Sequence, residues 1–275
     1  GDGLEEFMVG AYRAGDTSQS TPGEAYLFLG QSVFTDMSVD DADLVVQGVN
    51  HDDQLGYELS GGGDLDGDGL GDLLITAVGY AGVRGKVYVA LGASEHRNLV
   101  SADDLDAGVT GLATSDRFGR GSAMGDINGD GYDELVAGAK EHDGGGSGAG
   151  GIFILDFEGT VATRDLGDAD ATLLGESPSG LAGGAVALMD LDDDGYDEIL
   201  VGAEKTSPKG RSFAGTVYLV PGGVSLPSGG LGDMPDRMYG DEGCRFGRSV
   251  ASLGDFDGDG ASDVAIGGPE CSLDS

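Results

Sequence analysis

Positive charge is scarce in this sequence. Fourteen Lys and Arg stand against 50 Asp and Glu, a formal net charge of −36. A chain this acidic repels nucleic acid and anionic lipid unless something neutralises it, so no nucleic-acid partner is expected. No apolar run approaches the ~20 residues of a transmembrane helix, and no membrane insertion is expected in this region. The three histidines, His51, His96 and His142, are isolated, so neither an H-E-x-x-H zinc motif nor a Cys/His cluster forms. The nearest approach to a G-x-S-x-G nucleophile turn, at 247–251, fails at its last position. Gly146, Gly148 and Gly151 satisfy G-x-G-x-x-G formally, but they lead into an apolar strand with no helix to meet a phosphate, and the stretch reads as a loop. No catalytic residue is assigned, and the chain reads as a non-enzyme. No signal peptide is visible, which says nothing, because the chain opens GDGLEEFMVG without a Met.

Glycine and aspartate are abundant instead. The 55 glycines alternate with short β-branched and aromatic runs, so they read as turns in a strand-rich protein. A nine-residue stretch occurs four times: DLDGDGLGD at 64–72, DINGDGYDE at 126–134, DLDDDGYDE at 190–198 and DFDGDGASD at 255–263. Together these hold 18 of the 50 acids. The remaining acids read as a solubilising surface. The flanks recur with the loops. A small-residue strand precedes each (118–126, 181–190, 246–255), and an apolar strand follows (73–79, 134–139, 198–203, 263–268). A third strand comes next (24–30, 86–92, 151–157, 216–222), then a less regular fourth (42–48, 106–111, 171–176, 236–240). Four short strands per repeat of this length predict an all-β fold, a β-propeller of four-stranded antiparallel blades. The blades are expected at about 1–48 (partial), 49–111, 112–176, 177–240 and 241–275 (partial), in a single propeller region spanning 1–275. The glycine-rich first strand suits the innermost position. The opening aligns with the second half of an acidic loop, Asp2 with Asp68, Gly3 with Gly69 and Glu6 with Asp72, so the chain reads as a piece of a longer protein.

The D-x-D-x-D-G spacing suits a hard cation. Oxygens at positions 1, 3 and 5 converge on one side of a tight loop, Gly at 6 permits the turn, and a carbonyl at 7 and a later carboxylate complete the ~6–8 oxygens Ca²⁺ takes. The EF-hand is excluded, because its position 12 must be Glu and here it is Ile75, Ala137, Val201 or Ile266. Position 9 is acidic in every copy. The expected metal ligands are Asp64, Asp66, Asp68, Leu70 (carbonyl) and Asp72; Asp126, Asn128, Asp130, Tyr132 (carbonyl) and Glu134; Asp190, Asp192, Asp194, Tyr196 (carbonyl) and Glu198; and Asp255, Asp257, Asp259, Ala261 (carbonyl) and Asp263. About four Ca²⁺ sites follow. The competing reading is a solvated acidic turn, since Asp-Gly is a strong hairpin signal. Four carboxylates placed this close repel one another without a cation.

These motifs resemble the FG-GAP repeats of integrin α-subunit β-propellers and their bacterial relatives. The FG is Phe118-Gly119 and Phe246-Gly247, weakened to Leu55-Gly56 and Leu181-Ala182. The GAP is Gly267-Gly268-Pro269, departing to Gly138-Ala139-Lys140 and Gly202-Ala203-Glu204. The resemblance covers essentially the whole chain, about four and a half repeats. It implies part of a larger, seven-bladed propeller with Ca²⁺ in the hairpin between strands 1 and 2, placed outside the cell or at its surface and serving adhesion or recognition. Two alternatives stay open: a propeller portion of a secreted hydrolase, and a structural spacer in a large surface protein.

Two further expectations follow from the strand order. Cys244 and Cys271 flank the last hairpin, whose pairing brings them near the ~5.5 Å Cα separation of a disulfide. In a meander the 2–3 turns and 4–1 connections lie opposite the acidic 1–2 turns. Arg13, Arg84, Lys140, Lys205, Lys209 and Arg211 fall in 2–3 turns, Arg117 and Arg245 in 4–1 connections, and Tyr12, Tyr80 and Phe213 accompany them. That face is expected to bind an anionic protein or glycan ligand through Arg13, Arg84, Lys140 and Arg211.

Overall fold

The computed structural model describes residues 4, 6–15, 21–31, 36–92 and 99–271. Asp2 and Gly3, on which the alignment of the opening rests, lie outside these residues, as does His96. The strands are β1 (Phe7–Ala11), β2 (Glu24–Phe28), β3 (Leu44–Gln47), β4 (Leu55–Gly63), β5 (Asp72–Ala77), β6 (Lys86–Ala90), β7 (Leu99–Ser101), β8 (Ala107–Thr110), β9 (Phe118–Gly125), β10 (Glu134–Ala139), β11 (Gly151–Leu155), β12 (Arg164–Asp165), β13 (Ala171–Leu174), β14 (Ala182–Met189), β15 (Glu198–Ala203), β16 (Thr216–Val220), β17 (Gly229–Gly230), β18 (Asp236–Tyr239), β19 (Ser249–Gly254) and β20 (Asp263–Gly267). Three complete antiparallel meanders result: β4-β5-β6-β8, β9-β10-β11-β13 and β14-β15-β16-β18. A three-strand sheet, β1-β2-β3, precedes them and the hairpin β19-β20 follows. The chain is an all-β propeller of four-stranded antiparallel blades.

The hydrophobic cores lie between blades. Because side chains alternate across a strand, each central strand feeds two interfaces. In β10, Leu135 and Ala137 pack toward the second blade with Leu74, Val87 and Val109, while Val136 packs toward the fourth with Ile199, Val201 and Tyr218. In β15, Ile199 and Val201 face back and Leu200 faces forward onto Val250, Val264 and Ile266. Sandwiched on both faces, β10 and β15 are buried at every residue. That accounts for their unbroken apolar sequences. The small-residue strands β4, β9, β14 and β19 contact one another in succession at the inner edge of the sheets, as their composition predicts. Close approach there is demanding. A methyl group on Gly138 would overlap the carbonyl of Gly183, and one on Gly202 that of Gly247.

Two features were not read in the sequence. The short strands β7, β12 and β17 each leave their own repeat and pair in parallel with the outer edge of the preceding blade, on β3, β8 and β13. Gly23, just before β2, bridges Leu55 at the start of the next blade's innermost strand, and Gly150, just before β11, bridges Ala182 in the same way, again in parallel. Neighbouring blades are therefore joined at two places. The second bridge corrects the motif register of the fourth blade. Ala182 occupies the place of Leu55, and Gly183 (φ 80°) that of Gly56 (φ 77°), Gly119 (φ 83°) and Gly247 (φ 82°). The FG pair there is Ala182-Gly183, not Leu181-Ala182, because that turn needs its left-handed residue at the second place.

Candidate metal centre

The four acidic loops join the innermost strand of a blade to the second: β4 to β5, β9 to β10, β14 to β15 and β19 to β20. Their shape comes from position 1. Asp64 Oδ1 accepts from the N–H groups of Gly67 (2.7 Å) and Asp68 (3.1 Å), and Oδ2 from Gly69 (2.8 Å). Asp126 does the same with Gly129, Asp130 and Gly131 at 2.6, 3.2 and 3.0 Å. Asp190 holds Asp194 and Gly195 (3.2 and 3.0 Å), and Asp255 holds Gly258 and Gly260 (2.7 and 3.1 Å). At position 5, Asp68, Asp130, Asp194 and Asp259 accept from the N–H groups of Leu70, Tyr132, Tyr196 and Ala261 at 2.8–3.0 Å.

Position 9 closes each loop from below. Asp72, Glu134 and Glu198 are buried and accept from the position-2 N–H groups of Leu65, Ile127 and Leu191, each at 2.8 Å. Asp72 also takes the N–H of Gly92 at 2.8 Å, and Glu134 takes Asn128 Nδ2 at 2.7 Å. In the last loop Asp263 accepts from Phe256 at 2.9 Å. Burial raises the proton affinity of Asp72 and Glu198. It pushes Glu134 up to about 8; the Ile127 hydrogen bond opposes the shift, and the charges of Asp156, Asp126 and Asp130 add to it.

Oxygens of three acids converge within 4.8 Å of one another in every loop. The sets are Asp64, Asp66 and Asp72; Asp130, Glu134 and Asp156; Asp190, Asp192 and Asp194; and Asp255, Asp257 and Asp259. Hard oxygen donors at this separation fit a Ca²⁺-like ion; among the described residues no cationic side chain bonds the clustered carboxylates, Arg164 reaching only the main-chain oxygen of Asp156 at 2.8 Å. Positions 1, 3 and 5 meet in the last two loops. In the first, position 9 replaces position 5. In the second, Asn128 stands at position 3 and donates to Asp156 Oδ2 at 3.3 Å. Asp156 was not singled out in the sequence. It lies one residue past β11, 30 positions from Asp126, and only its place on the same rim as the loop could have flagged it.

The loops also touch each other. Asp133, at position 8, accepts from the N–H of Asp64 in the preceding loop at 2.8 Å, and the two main chains pair as well (3.1 Å). The N–H of Asp197 bonds the carbonyl of Asp126 at 2.9 Å. The Tyr132 ring covers Gly67, and the Tyr196 ring covers Gly129. Burial, then the neighbouring charges of Asp133 and Asp190, push Asp197 up to about 6.

The FG-GAP repeat profile matches residues 118–155 and 182–220. Each match runs from the first residue of an innermost strand, Phe118 or Ala182, to the end of the third strand, with the acidic loop inside. These are FG-GAP repeats. Integrin alpha-3 of Cricetulus griseus is 33% identical over 143 residues, 50% of this chain and 12% of that protein. Integrin alpha-8 of Gallus gallus is 30% identical over 212 residues, 72% of this chain and 19% of that protein. Phosphatidylinositol-glycan-specific phospholipase D of Mus musculus is 28% identical over 200 residues, 69% of this chain and 23% of that protein. The chain thus spans less than a quarter of the length of each of these relatives. No helix among the described residues is long and apolar enough to cross a membrane.

The other predicted residues of the FG-GAP blades are dispersed. Cys244 and Cys271 stand at the open end of the β19-β20 hairpin as a disulfide pair. Arg13 lies 5.3 Å from the centroid of the Tyr12 ring, and Arg211 pairs with Asp241 at 3.3 Å. Arg84 closes the blade interface through its main chain, accepting from the N–H of Phe118 at 3.1 Å. Lys140 lines a cavity. His142 is not isolated: its Nδ1 lies 3.0 Å from Oδ2 of buried Asp116. The stretch 146–149 is a loop held by Asp143, which accepts from the Gly148 N–H at 2.8 Å, and Gly151 opens β11.

Proposed function

We propose that this chain is a calcium-stabilised, extracellular FG-GAP propeller that recognises a protein or glycan and performs no catalysis itself. The observation that carries the reading is the convergence of three acids within 4.8 Å in all four loops, each loop fixed by its own backbone N–H groups. A cation bound there supplies neutralising charge. The ligands are the twenty loop positions expected from the sequence, joined by Asp156 in the second loop. The position-1 carboxylates hold the loop shape, the position-9 carboxylates anchor it to the blade, and the residues between present oxygen outward. Recognition is assigned to the opposite rim, where the 2–3 turns and 4–1 connections carry most of the basic side chains. Similarity to integrin α-chains supports this assignment, and the Cys244–Cys271 pair fits an oxidising compartment.

A ligand at 100 times its Kd stabilises a fold by ~2.7 kcal/mol per site, so two loops would rival the ~5–15 kcal/mol of a whole domain. Melting in EGTA should occur far below melting in Ca²⁺, with Mg²⁺ restoring little. An unchanged melting curve in chelator would overturn the reading. The recognition half is tested by a protein and glycan array probed with the calcium-loaded chain. A second reading, the propeller portion of a secreted hydrolase, draws on the similarity to phosphatidylinositol-glycan-specific phospholipase D.

A further inference from the structure

On the rim opposite the acidic loops, a cavity of about 170 Å³ is lined by Tyr57, Glu58, Arg120, Lys140, Glu204 and Arg248 among others. Tyr57 and Glu58 lie in the first half of β4, Arg120 is the third residue of β9 and Arg248 immediately precedes β19, while Lys140 and Glu204 follow β10 and β15. The side chains come from four successive blades, so the cavity lies where the innermost strands converge. It holds three cations in a chain with a net charge of −36.

The cations are not equally engaged. Arg248 Nη1 donates to Glu204 Oε2 at 2.6 Å, and Glu204 is buried, so these two neutralise each other. The guanidinium of Arg120 lies 4.2 Å from the centroid of the Tyr57 ring. That stacking orients its plane and leaves its edge donors free to point elsewhere. Among the described residues neither Arg120 nor Lys140 has a hydrogen-bonded or ion-paired acceptor. Glu58 is near enough for Arg120 to favour its charged form against burial. With the Arg248–Glu204 pair set aside, Arg120, Lys140 and Glu58 leave the cavity one negative charge short of neutrality.

We propose that this cavity receives a single carboxylate, presented by an Asp or Glu side chain on a loop of a partner protein. The count of charges favours a monoanion over a phosphate or sulfate dianion. The surrounding surface favours a protein loop over an acidic glycan: a glycan carrying a charge on successive sugars would meet the strongly acidic remainder of the molecule, whereas a loop can offer one acid among neutral or basic neighbours. The bound carboxylate accepts from the Arg120 guanidinium and the Lys140 ammonium, a charge-assisted arrangement. Burial, reinforced by Arg120, holds Lys140 down at about 8. A bound anion would reverse that pressure, so binding should weaken as pH rises through 8.

This inference rests on the recognition reading and names its ligand chemistry. The test is an NMR titration of the calcium-loaded chain with acetate, following the Arg120 Nε and Lys140 Nζ signals. The expected result is a saturable shift of both, an affinity lowered about tenfold or more in Arg120→Ala and Lys140→Met, and unchanged Ca²⁺ binding. Glu58→Gln, which removes the competing charge and keeps the shape, should tighten acetate binding. No saturable shift, a shift retained in both cation variants, or binding of sulfate at least as tight would overturn the proposal. The array separates the two readings. A partner captured equally well by Arg120→Ala overturns the cavity and keeps the recognition face. Saturable acetate binding with an empty array supports the carboxylate site and removes the recognition reading.

Discussion

At the scale of single residues, one side chain explains an irregularity between repeats. Position 4 of the acidic loop is Gly67, Gly129 or Gly258 in three copies and Asp193 in the other. All are left-handed, Gly129 at φ 77° and Asp193 at φ 60°. A methyl on Gly129 would come within 2.5 Å of Tyr196 Cε1, and one on Gly67 equally close to Tyr132 Cε1. The loop after Asp193 carries Ala261 where the second and third loops carry Tyr132 and Tyr196, so no ring covers position 193. Aspartate tolerates the left-handed conformation. Gly129→Ala should therefore cost about 1–3 kcal/mol through strain and overlap together, and Asp193→Gly only a few tenths. Urea denaturation in Ca²⁺ measures both. Adding Tyr196→Ala should recover part of the first loss, the part due to overlap. A pH prediction belongs here too. Lys140 titrates at about 8 in the fold against 10.5 unperturbed. Below 8 both states hold the proton and the fold bears a half-buried charge. Between 8 and 10.5 the unfolded chain holds more protons, so stability rises with pH. Lys140→Met should raise the melting temperature at pH 7 and flatten that rise.

At the scale of the loop and its two strands, the nine positions divide into anchors and outward-facing oxygens. Glu198 is buried and satisfies the Leu191 N–H, whereas Asp192 is exposed and belongs to the converging set. Glu198→Ala should cost about 1–3 kcal/mol even in EGTA, because it strands the half-buried Leu191 N–H. Asp192→Asn should be neutral or slightly stabilising in EGTA, where it relieves like-charge repulsion, and should reduce the gain from added Ca²⁺. Equal losses for both variants in chelator would remove the distinction. The spacing D-x-D-x-D-G-x-x-[DE] made both roles visible as acids but could not separate them. Burial does that, through the strand that follows position 9. Asp156 was illegible for a related reason: it reaches the second loop from the far end of another strand, and its repeat counterparts are not acids.

At the scale of the whole molecule, adjacent loops are linked by Asp133, which binds the Asp64 N–H, and by the tyrosine rings. Calcium loading of one loop should therefore stiffen the next. Calorimetric titration should give fewer transitions than sites, and Tyr132→Ala should split them apart. Among the described residues the last hairpin packs against the fourth blade, β19 is mostly exposed and β20 partly so. The Cys244–Cys271 pair restrains it across a loop of roughly 27 residues, for which a disulfide contributes about 3–4 kcal/mol. Mass spectrometry of the chain under non-reducing conditions should show no free thiol. Double replacement by Ser should release the hairpin to hydrogen exchange while the β9-β10 and β14-β15 hairpins stay protected.

By itself the sequence determined the repeat, the four-strand blade, the acid spacing of the loops and the innermost place of the small-residue strands. All of these are written locally, as period-two apolar runs, glycine turns and acids at fixed spacing. What only the tertiary structure decided lies between repeats: the parallel strands β7, β12 and β17, the Ala182-Gly183 register, Asp156, the Tyr-over-Gly contacts and the cavity of Arg120 and Lys140. These partners are brought together by blade stacking. No local period records which residue of one repeat will face which residue of the next.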